Sequence, residues 1–134
     1  MIPFQLRFEP GTPIHEQVVY AAKKALICGQ MLTGEPFPSV RTLSKALKIN
    51  PNTAHKVIAQ LVAEGLLEVR PGLGTLVAER PASSAAERGN LLQRELEQLV
   101  VEAKRLGLGL AQVSAALERH WDRLEAPEPA RRKS

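Results

Sequence analysis

Residues 38–65 read Pro38-Ser-Val-Arg-Thr-Leu-Ser-Lys-Ala-Leu-Lys-Ile-Asn-Pro-Asn-Thr-Ala-His-Lys-Val-Ile-Ala-Gln-Leu-Val-Ala-Glu-Gly65. Near the start, Val40, Leu43 and Leu47 recur at three- and four-residue spacing, which predicts a short helix with one apolar side. Ser39 stands directly before it, where its hydroxyl can accept a hydrogen bond from a free backbone N–H of the first turn. We therefore expect this helix to begin after a serine cap.

A further helix is predicted over residues 51–64. Asn50 can cap it, and Pro51 stands at its first position, where a missing N–H costs nothing. Gly65 is typical of a residue that ends a helix. Two helices joined by such a short corner predict a helix-turn-helix. The side of this helix that we expect to be buried carries Ala54, Val57, Ile58 and Leu61.

The outward side of the same helix carries short polar groups and a lysine, and its first acid, Glu64, comes in the last turn. Such a face suits insertion into the major groove of DNA, although an ordinary solvated helix face is the alternative. At 100° per residue, the side chains that point away from the apolar stripe are Asn52, Thr53, Lys56 and Gln60, with His55 on the flank.

A β-hairpin is predicted directly after this helix, because two β-prone runs at 66–70 and 75–79 flank a Pro/Gly loop. A helix-turn-helix followed by a hairpin is a winged helix-turn-helix, so the predicted fold is mainly α with a small β wing. We expect Arg70, at the base of the hairpin, to contact a phosphate. Gly72 and Gly74 would let the backbone approach a sugar-phosphate edge closely.

Several separated motifs in this region, in this order, resemble the GntR family of bacterial transcription regulators. They are Gly34-Glu-Pro-Phe-Pro-Ser-Val-Arg41, Asn50-Pro-Asn-Thr53, Glu64-Gly-Leu-Leu and Gly72-Leu-Gly-Thr75. The match covers roughly residues 10–80, and the short remainder of the chain is similar to the YtrA-type subfamily, whose members carry only a small helical C-terminal region. The resemblance implies that Arg41 contacts DNA; the alternative is an exposed surface arginine.

The residues before this region predict a strand and a helix. Ile2, Phe4, Leu6 and Phe8 alternate with other residues, as in a half-buried strand, and Pro3 makes it an edge strand. We expect Thr12 to cap the helix, Pro13 to open it and Gly29 to end it. The apolar side predicted for this helix consists of Ile14, Val18, Ala22, Ala25 and Leu26.

The composition suits one ordinary domain, or a small domain with an appendage, in 134 residues of net charge +4. Residues 1–80 hold nine Lys/Arg and six Asp/Glu, so the excess positive charge lies with the predicted DNA-binding half. Aromatic residues make up only 4%, which disfavours binding of single strands by base stacking. The single cysteine, Cys28, excludes an internal disulfide, and without a long apolar run or a signal pattern we expect a cytoplasmic protein.

Beyond a winged domain at residues 1–80, we predict a hinge at 81–86, a helical region at 87–124 and a disordered tail at 125–134. The helical region would form a two-helix hairpin, broken at Gly107-Leu-Gly109. A unit of only two helices cannot bury both of its apolar faces within itself. We therefore expect a second copy of the chain to cover them in a homodimer. Packing of the two helices on the winged domain is the alternative. The expected dimerisation residues are Leu92, Leu96, Leu99, Leu106, Val113, Leu117 and Trp121.

No catalytic or metal-binding pattern is present in the sequence. His15, His55 and His120 lie on separate predicted elements, and no phosphate-binding loop precedes a helix. We therefore predict a protein that is not an enzyme and has no cofactor or metal, and we assign no small-molecule effector.

The predicted function is sequence-specific binding of double-stranded DNA by a transcription regulator. We expect a repressor that binds a palindromic operator as a homodimer. The alternative is a protein-interaction adaptor, which the polar, acid-poor helix face argues against, because protein interfaces favour aromatic anchors. The predicted DNA-binding residues are Ser39, Arg41, Asn50, Asn52, Thr53, His55, Lys56, Arg70, Gly72 and Gly74.

Overall fold

The computed structural model describes residues 2, 4, 6–79 and 83–125. They form two compact units, one up to residue 79 and the other over residues 83–125. The first unit contains three helices and a two-stranded sheet, and the second contains helices alone. The predicted fold class, mainly α with a small β wing, is confirmed.

The first helix, α1, spans Ile14–Ile27 and begins after Pro13 without a side-chain cap. The predicted cap at Thr12 is wrong, because Gln17 takes over the entry to the helix. Its Nε2 donates to the carbonyl oxygens of Thr12 and Glu9, at 2.8 and 2.9 Å, and its Oε1 accepts from the Glu9 N–H at 2.9 Å. Ile14, predicted to be buried, is 47% exposed in this first turn.

The predicted N-terminal strand is wrong for the described residues before α1, none of which is in a strand. Their apolar side chains are still used: Phe4 is buried and stacks on Phe37 with 6.4 Å between ring centroids. Ile2 and Leu6 pack against the same core while half-buried. Apolar alternation therefore marked three of the four inward side chains correctly, whereas Phe8 is 37% exposed.

Helices α2, at Val40–Leu47, and α3, at Pro51–Ala63, form the predicted helix-turn-helix. The corner between them contains Lys48, whose φ of 56° lies in the left-handed region. Gly65, with φ of 80°, follows the end of α3. The core is formed by buried residues from α1, α2, α3 and the wing, among them Val18, Leu26, Leu43, Val57, Leu61 and Leu67.

The wing consists of β1, at Leu67–Arg70, paired antiparallel with β2, at Gly74–Val77. The other edge of β2 is bound to residues 34–37, the segment that precedes α2. Its Gly34 N–H donates to Val77 at 2.8 Å and its Phe37 N–H donates to the carbonyl of Thr75 at 2.9 Å. The wing is thereby attached to the segment before α2 through β2, while β1 follows the end of α3 in the chain.

In the second unit, helix extends from α4, at Ala85–Gly89, through a π-helical segment, Asn90–Glu95, into α5, at Leu96–Arg105. Ser84 and Glu87 form a reciprocal capping box at its start. The predicted start at residue 87 is wrong by two residues, because Glu87 is the third residue of the helix rather than the first. After Gly107, which has φ of 78°, α6 spans Leu110–Arg123. Residues 81 and 82 of the predicted hinge and 126–134 of the predicted disordered tail lie outside the described residues.

Candidate nucleic-acid interface

Two of the predicted DNA-binding residues cap the helices that carry the others. The Ser39 Oγ accepts from the Thr42 N–H at 3.1 Å, and the Asn50 Oδ1 accepts from the Asn52 N–H at 2.7 Å. Both caps agree with the sequence prediction. They fix where α2 and α3 begin, and they leave the Asn50 side-chain NH₂ as a donor at the positive end of α3.

The outward side of α3 is open for contact with a ligand. Asn52, His55 and Lys56 are exposed and Thr53 is half-buried. Within the part of the chain that the structure describes, the side chains of His55 and Lys56 make no hydrogen bond or ion pair. Gln60 differs from them, because its Nε2 donates to the Glu64 Oε2 at 2.9 Å. The free polar groups of α3 are therefore concentrated in its N-terminal half.

The negative charge of Glu64, which follows the last residue of α3, is paired with a lysine of the protein itself. The Lys23 Nζ of α1 lies 2.7 Å from the Glu64 Oε1. Hydrogen bonds from Lys23, and then from Gln60, hold the pKa of Glu64 below its usual range. Its negative charge is thus compensated beside α1, away from the N-terminal half of α3.

Positive charge on α2 and α3 is not opposed by any acid in their own segment, because residues 36–63 contain no Asp or Glu. Arg41 and Lys45 lie four residues apart on α2, both exposed. Lys48 in the corner and Lys56 on α3 are exposed as well. Lys45 and Lys48 were not among the predicted DNA-binding residues, although the acid-free run around them would have indicated both.

The wing presents a weaker positive charge than predicted. Arg70 is the last residue of β1 and adjoins the turn, so its predicted place at the hairpin base is wrong. Its Nη2 lies 2.7 Å from the Glu68 Oε2, because residues two apart on a strand share a face. This ion pair is exposed and therefore weak, so a phosphate can compete for Arg70 at small cost.

Gly72 and Gly74 are explained by the backbone of the turn. Their φ values are +81° and +92°, a conformation that residues with a Cβ rarely adopt, and a Cβ at either position would meet no other atom. Their glycine identity therefore follows from the turn itself, independently of any close approach to DNA.

A cleft of about 610 Å³ separates α3 from the wing. Ser39 from the α2 cap, His55 from α3 and Gly74 from the wing all line it, so the fold brings three predicted DNA-binding residues from separate elements to one surface. The rest of the lining is mainly apolar and includes Val40, Ile58, Val62, Val69 and Leu73.

A helix-turn-helix with an open polar N-terminal half of α3, unopposed cations and an attached wing defines the winged-helix class of DNA-binding domains. The family model for bacterial regulatory proteins of the gntR family matches residues 14–77. The chain is 34% identical, over 75% of its length and 78% of the relative's, to the HTH-type transcriptional repressor YtrA of Bacillus subtilis (strain 168). It is 31% identical to the HTH-type transcriptional regulator YhcF of the same organism, over 76% and 84% of the two chains.

The chain belongs to the GntR family and is a DNA-binding transcription regulator, not an enzyme. This confirms the resemblance found in the sequence, and it favours the predicted regulator over the alternative of a protein-interaction adaptor. A solved structure titled a transcriptional antiterminator from Listeria monocytogenes EGD-e shares the fold, with a TM-score of 0.82 and 21% identity over 94% of this chain and 97% of that one. A transcriptional regulator from Oenococcus oeni gives a TM-score of 0.60 at 25% identity, over 85% and 95%.

Across the described ranges, no helix has both the length and the apolar character needed to cross a lipid bilayer.

Proposed function

We propose that this regulator is a cytoplasmic repressor that binds a palindromic operator as a homodimer. Similarity to a protein named as a repressor supports the sign of regulation. The observation that carries the proposal of a dimer is the second unit, in which Ala103 is the only buried apolar residue among those described. Two copies would supply two recognition helices, which a selective operator requires.

The proposed contacts with DNA follow from the positions of the free groups. Helix α3 would enter the major groove with Asn52, Thr53, His55 and Lys56 toward base edges and nearby phosphates. The wing, with Gly72 and Gly74 at its turn, would lie over the adjacent minor groove. The backbone phosphates would be contacted by Arg41, Lys45 and Lys48, by the Asn50 side chain at the helix start, and by Arg70 once it leaves Glu68.

The proposed dimer surface is formed by the apolar faces of α5 and α6. Leu96, Leu99 and Leu106 from α5 and its end, with Val113 and Leu117 from α6, line a groove of about 530 Å³ within this unit. Trp121 is 72% exposed on α6. Large apolar groups left in water on adjacent helices are typical of a surface that another protein covers, and tryptophan is a frequent anchor in such interfaces. Leu92, predicted with them, lies in the π-helical segment before α5, is 63% exposed and does not line this groove.

The first experiment measures affinity for duplex DNA as a function of salt. Arg41→Ala and Lys56→Ala should each weaken binding and flatten the log–log salt dependence by about one unit for each lost phosphate contact. Lys24→Ala is the matched control, because it removes an exposed cation that lies on α1, over the ring of Tyr20, and outside the proposed DNA contacts. The duplex is the protein's own upstream DNA, in the presence of competitor. An unchanged slope and affinity in both variants would contradict these contacts.

The second experiment addresses the dimer and the operator. Light scattering of the full chain should give a dimer mass, and Trp121→Ala should shift it toward the monomer, whereas Asp122→Ala on the neighbouring, exposed position should not. Footprinting should show two protected half-sites about one helical turn apart. A single protected half-site, or a monomeric protein on DNA, would contradict the proposal. Transcription in vitro from the footprinted promoter should fall when the protein is added, and a rise would contradict the assignment as a repressor.

A further inference from the structure

The tip of the wing carries a leucine on a stiff turn. The Leu73 N–H donates to the carbonyl of Arg70 at 2.9 Å, which closes a turn with Pro71 and Gly72 at its centre. Proline followed by a glycine of positive φ is typical of a type II turn. Leu73 follows directly and is 66% exposed. The turn thus holds a large apolar side chain in water at the end of the wing.

The chemistry of this tip differs from that of α2 and α3. From Pro71 to Gly74 the side chains carry no charge and no hydrogen-bonding group. The nearest cation, Arg70, is paired with Glu68. On the face of the wing toward the cleft, Val69 is also exposed. The tip therefore has nothing with which to bind a phosphate by charge, and what it offers a groove is apolar surface.

Resting on the proposed placement of the wing, we propose that Leu73 enters the minor groove and favours A·T over G·C base pairs there. Both kinds of base pair present purine N3 and pyrimidine O2 acceptors, so the cost of covering these acceptors cancels in the comparison. Only G·C adds the guanine N2 amino group, which projects into the groove. A leucine side chain has no acceptor for this donor, and a covered donor without a partner is unfavourable. Leu73 is then a specificity-determining residue that acts by exclusion.

The experiment changes one amino group at a time. In the operator located by footprinting, the base pairs beneath the wing are made A·T, G·C, inosine·C or 2,6-diaminopurine·T. Inosine·C lacks the minor-groove amino group of G·C, and 2,6-diaminopurine·T adds that group to A·T. The wild-type protein should bind A·T and inosine·C alike, and should bind G·C and diaminopurine·T roughly five- to tenfold more weakly, the low end of the effect of one unfavourable base pair.

Leu73→Ala should remove most of this discrimination and leave the salt dependence unchanged, because no phosphate contact is lost. The matched control is Leu32→Ala, which truncates a leucine of the same unit that is 62% exposed but lies outside the wing. Thermal melting would confirm that both variants are folded.

Two results would overturn the inference alone: tight operator binding in which inosine·C behaves like G·C, or the same ranking of duplexes by Leu73→Ala as by the wild type. A wild-type protein that binds no duplex above competitor would overturn the proposed contacts with DNA as well, so the two failures are distinguishable.

Discussion

The two units of this chain use their apolar residues in opposite ways. In the first unit most leucines and valines of the three helices and the wing pack in or against one core, and the outward surface of α2 and α3 is polar and cationic. In the second unit the leucines of α5 and α6 remain exposed, and Ala103 alone is buried among the described apolar side chains. From this contrast we predict that the first unit is stable by itself, whereas the proposed dimer would cover the apolar surface of the second.

Truncation of one leucine in each unit should show the largest difference between them. Leu61 is fully buried, so Leu61→Ala should lower the free energy of unfolding by about 2–5 kcal/mol, equally at all protein concentrations. Leu117 is 55% exposed, so Leu117→Ala should act mainly through the dimer, and its loss of stability should depend on protein concentration. Denaturant unfolding over a range of concentrations measures both. Losses that are independent of concentration in both variants would remove the distinction.

A substitution in the corner between α2 and α3 should raise the stability of the protein and lower its affinity for DNA. Lys48 holds a left-handed backbone, with φ of 56°, that glycine adopts more easily. Lys48→Gly should therefore stabilise the first unit by up to about 1 kcal/mol, while weakening DNA binding and flattening its salt dependence. Lys45→Gly is the contrasting variant, because glycine inside α2 should destabilise the protein by about 1 kcal/mol. Unfolding and DNA titration of the same samples provide the measurements, and a stabilised Lys48→Gly with unchanged binding would exclude a phosphate contact there.

The ion pair on the wing should restrain DNA binding slightly. Glu68→Gln frees Arg70 and removes a nearby negative charge, so affinity should rise by about two- to fivefold at low salt, with a steeper salt dependence. Glu102→Gln is the matched control, since Glu102 pairs with Arg105 in the second unit. Affinities are compared on the same duplex at two salt concentrations. Equal affinity gains in both variants would point to net charge rather than to Arg70.

The smallest expected effect is a pH dependence of the contact between α1 and α3. Because the pKa of Glu64 is lowered in the folded chain, its stabilising contribution is complete above the ordinary glutamate pKa and is lost as pH falls through the lowered value. Both side chains of the Lys23–Glu64 pair are more than a third exposed, so the contribution should be only about 0.2–1 kcal/mol. Urea unfolding of the wild type and Glu64→Gln should differ near neutral pH and converge in acid. If the difference in the free energy of unfolding between the two proteins stays constant with pH, the ion pair is not the cause of that difference.

Local patterns along the chain predicted most of the DNA-binding unit. The caps at Ser39 and Asn50, the ends of α2 and α3 and the hairpin all depend on residues within a turn or two, so their sequence is informative on its own. The same holds for the outward position of Asn52, His55 and Lys56, because the buried side of α3 determines which side is exposed. The family resemblance added the contact with DNA that is expected of Arg41.

Local patterns failed where the outcome depends on a distant partner or on competition between neighbours. Gln17 displaced Thr12 at the entry to α1, and Glu68 engages Arg70 beside the turn. In the second unit, the π-helical segment Asn90–Glu95 widens the helical turn between Leu92 and Leu96, so a regular 3.6-residue projection does not carry across it.

The amino-acid sequence by itself determined the helix-turn-helix, its caps, its acid-free face and the glycine turn of the wing, because each follows from hydrogen bonds and side-chain periodicity over a few residues. Only the tertiary structure decided that the described residues before α1 form no strand, that the segment ahead of α2 binds the edge of β2, and that Ser39, His55 and Gly74 line one cleft. These depend on which surfaces meet after the chain has folded back on itself, and contacts between residues far apart in sequence leave no regular pattern in it.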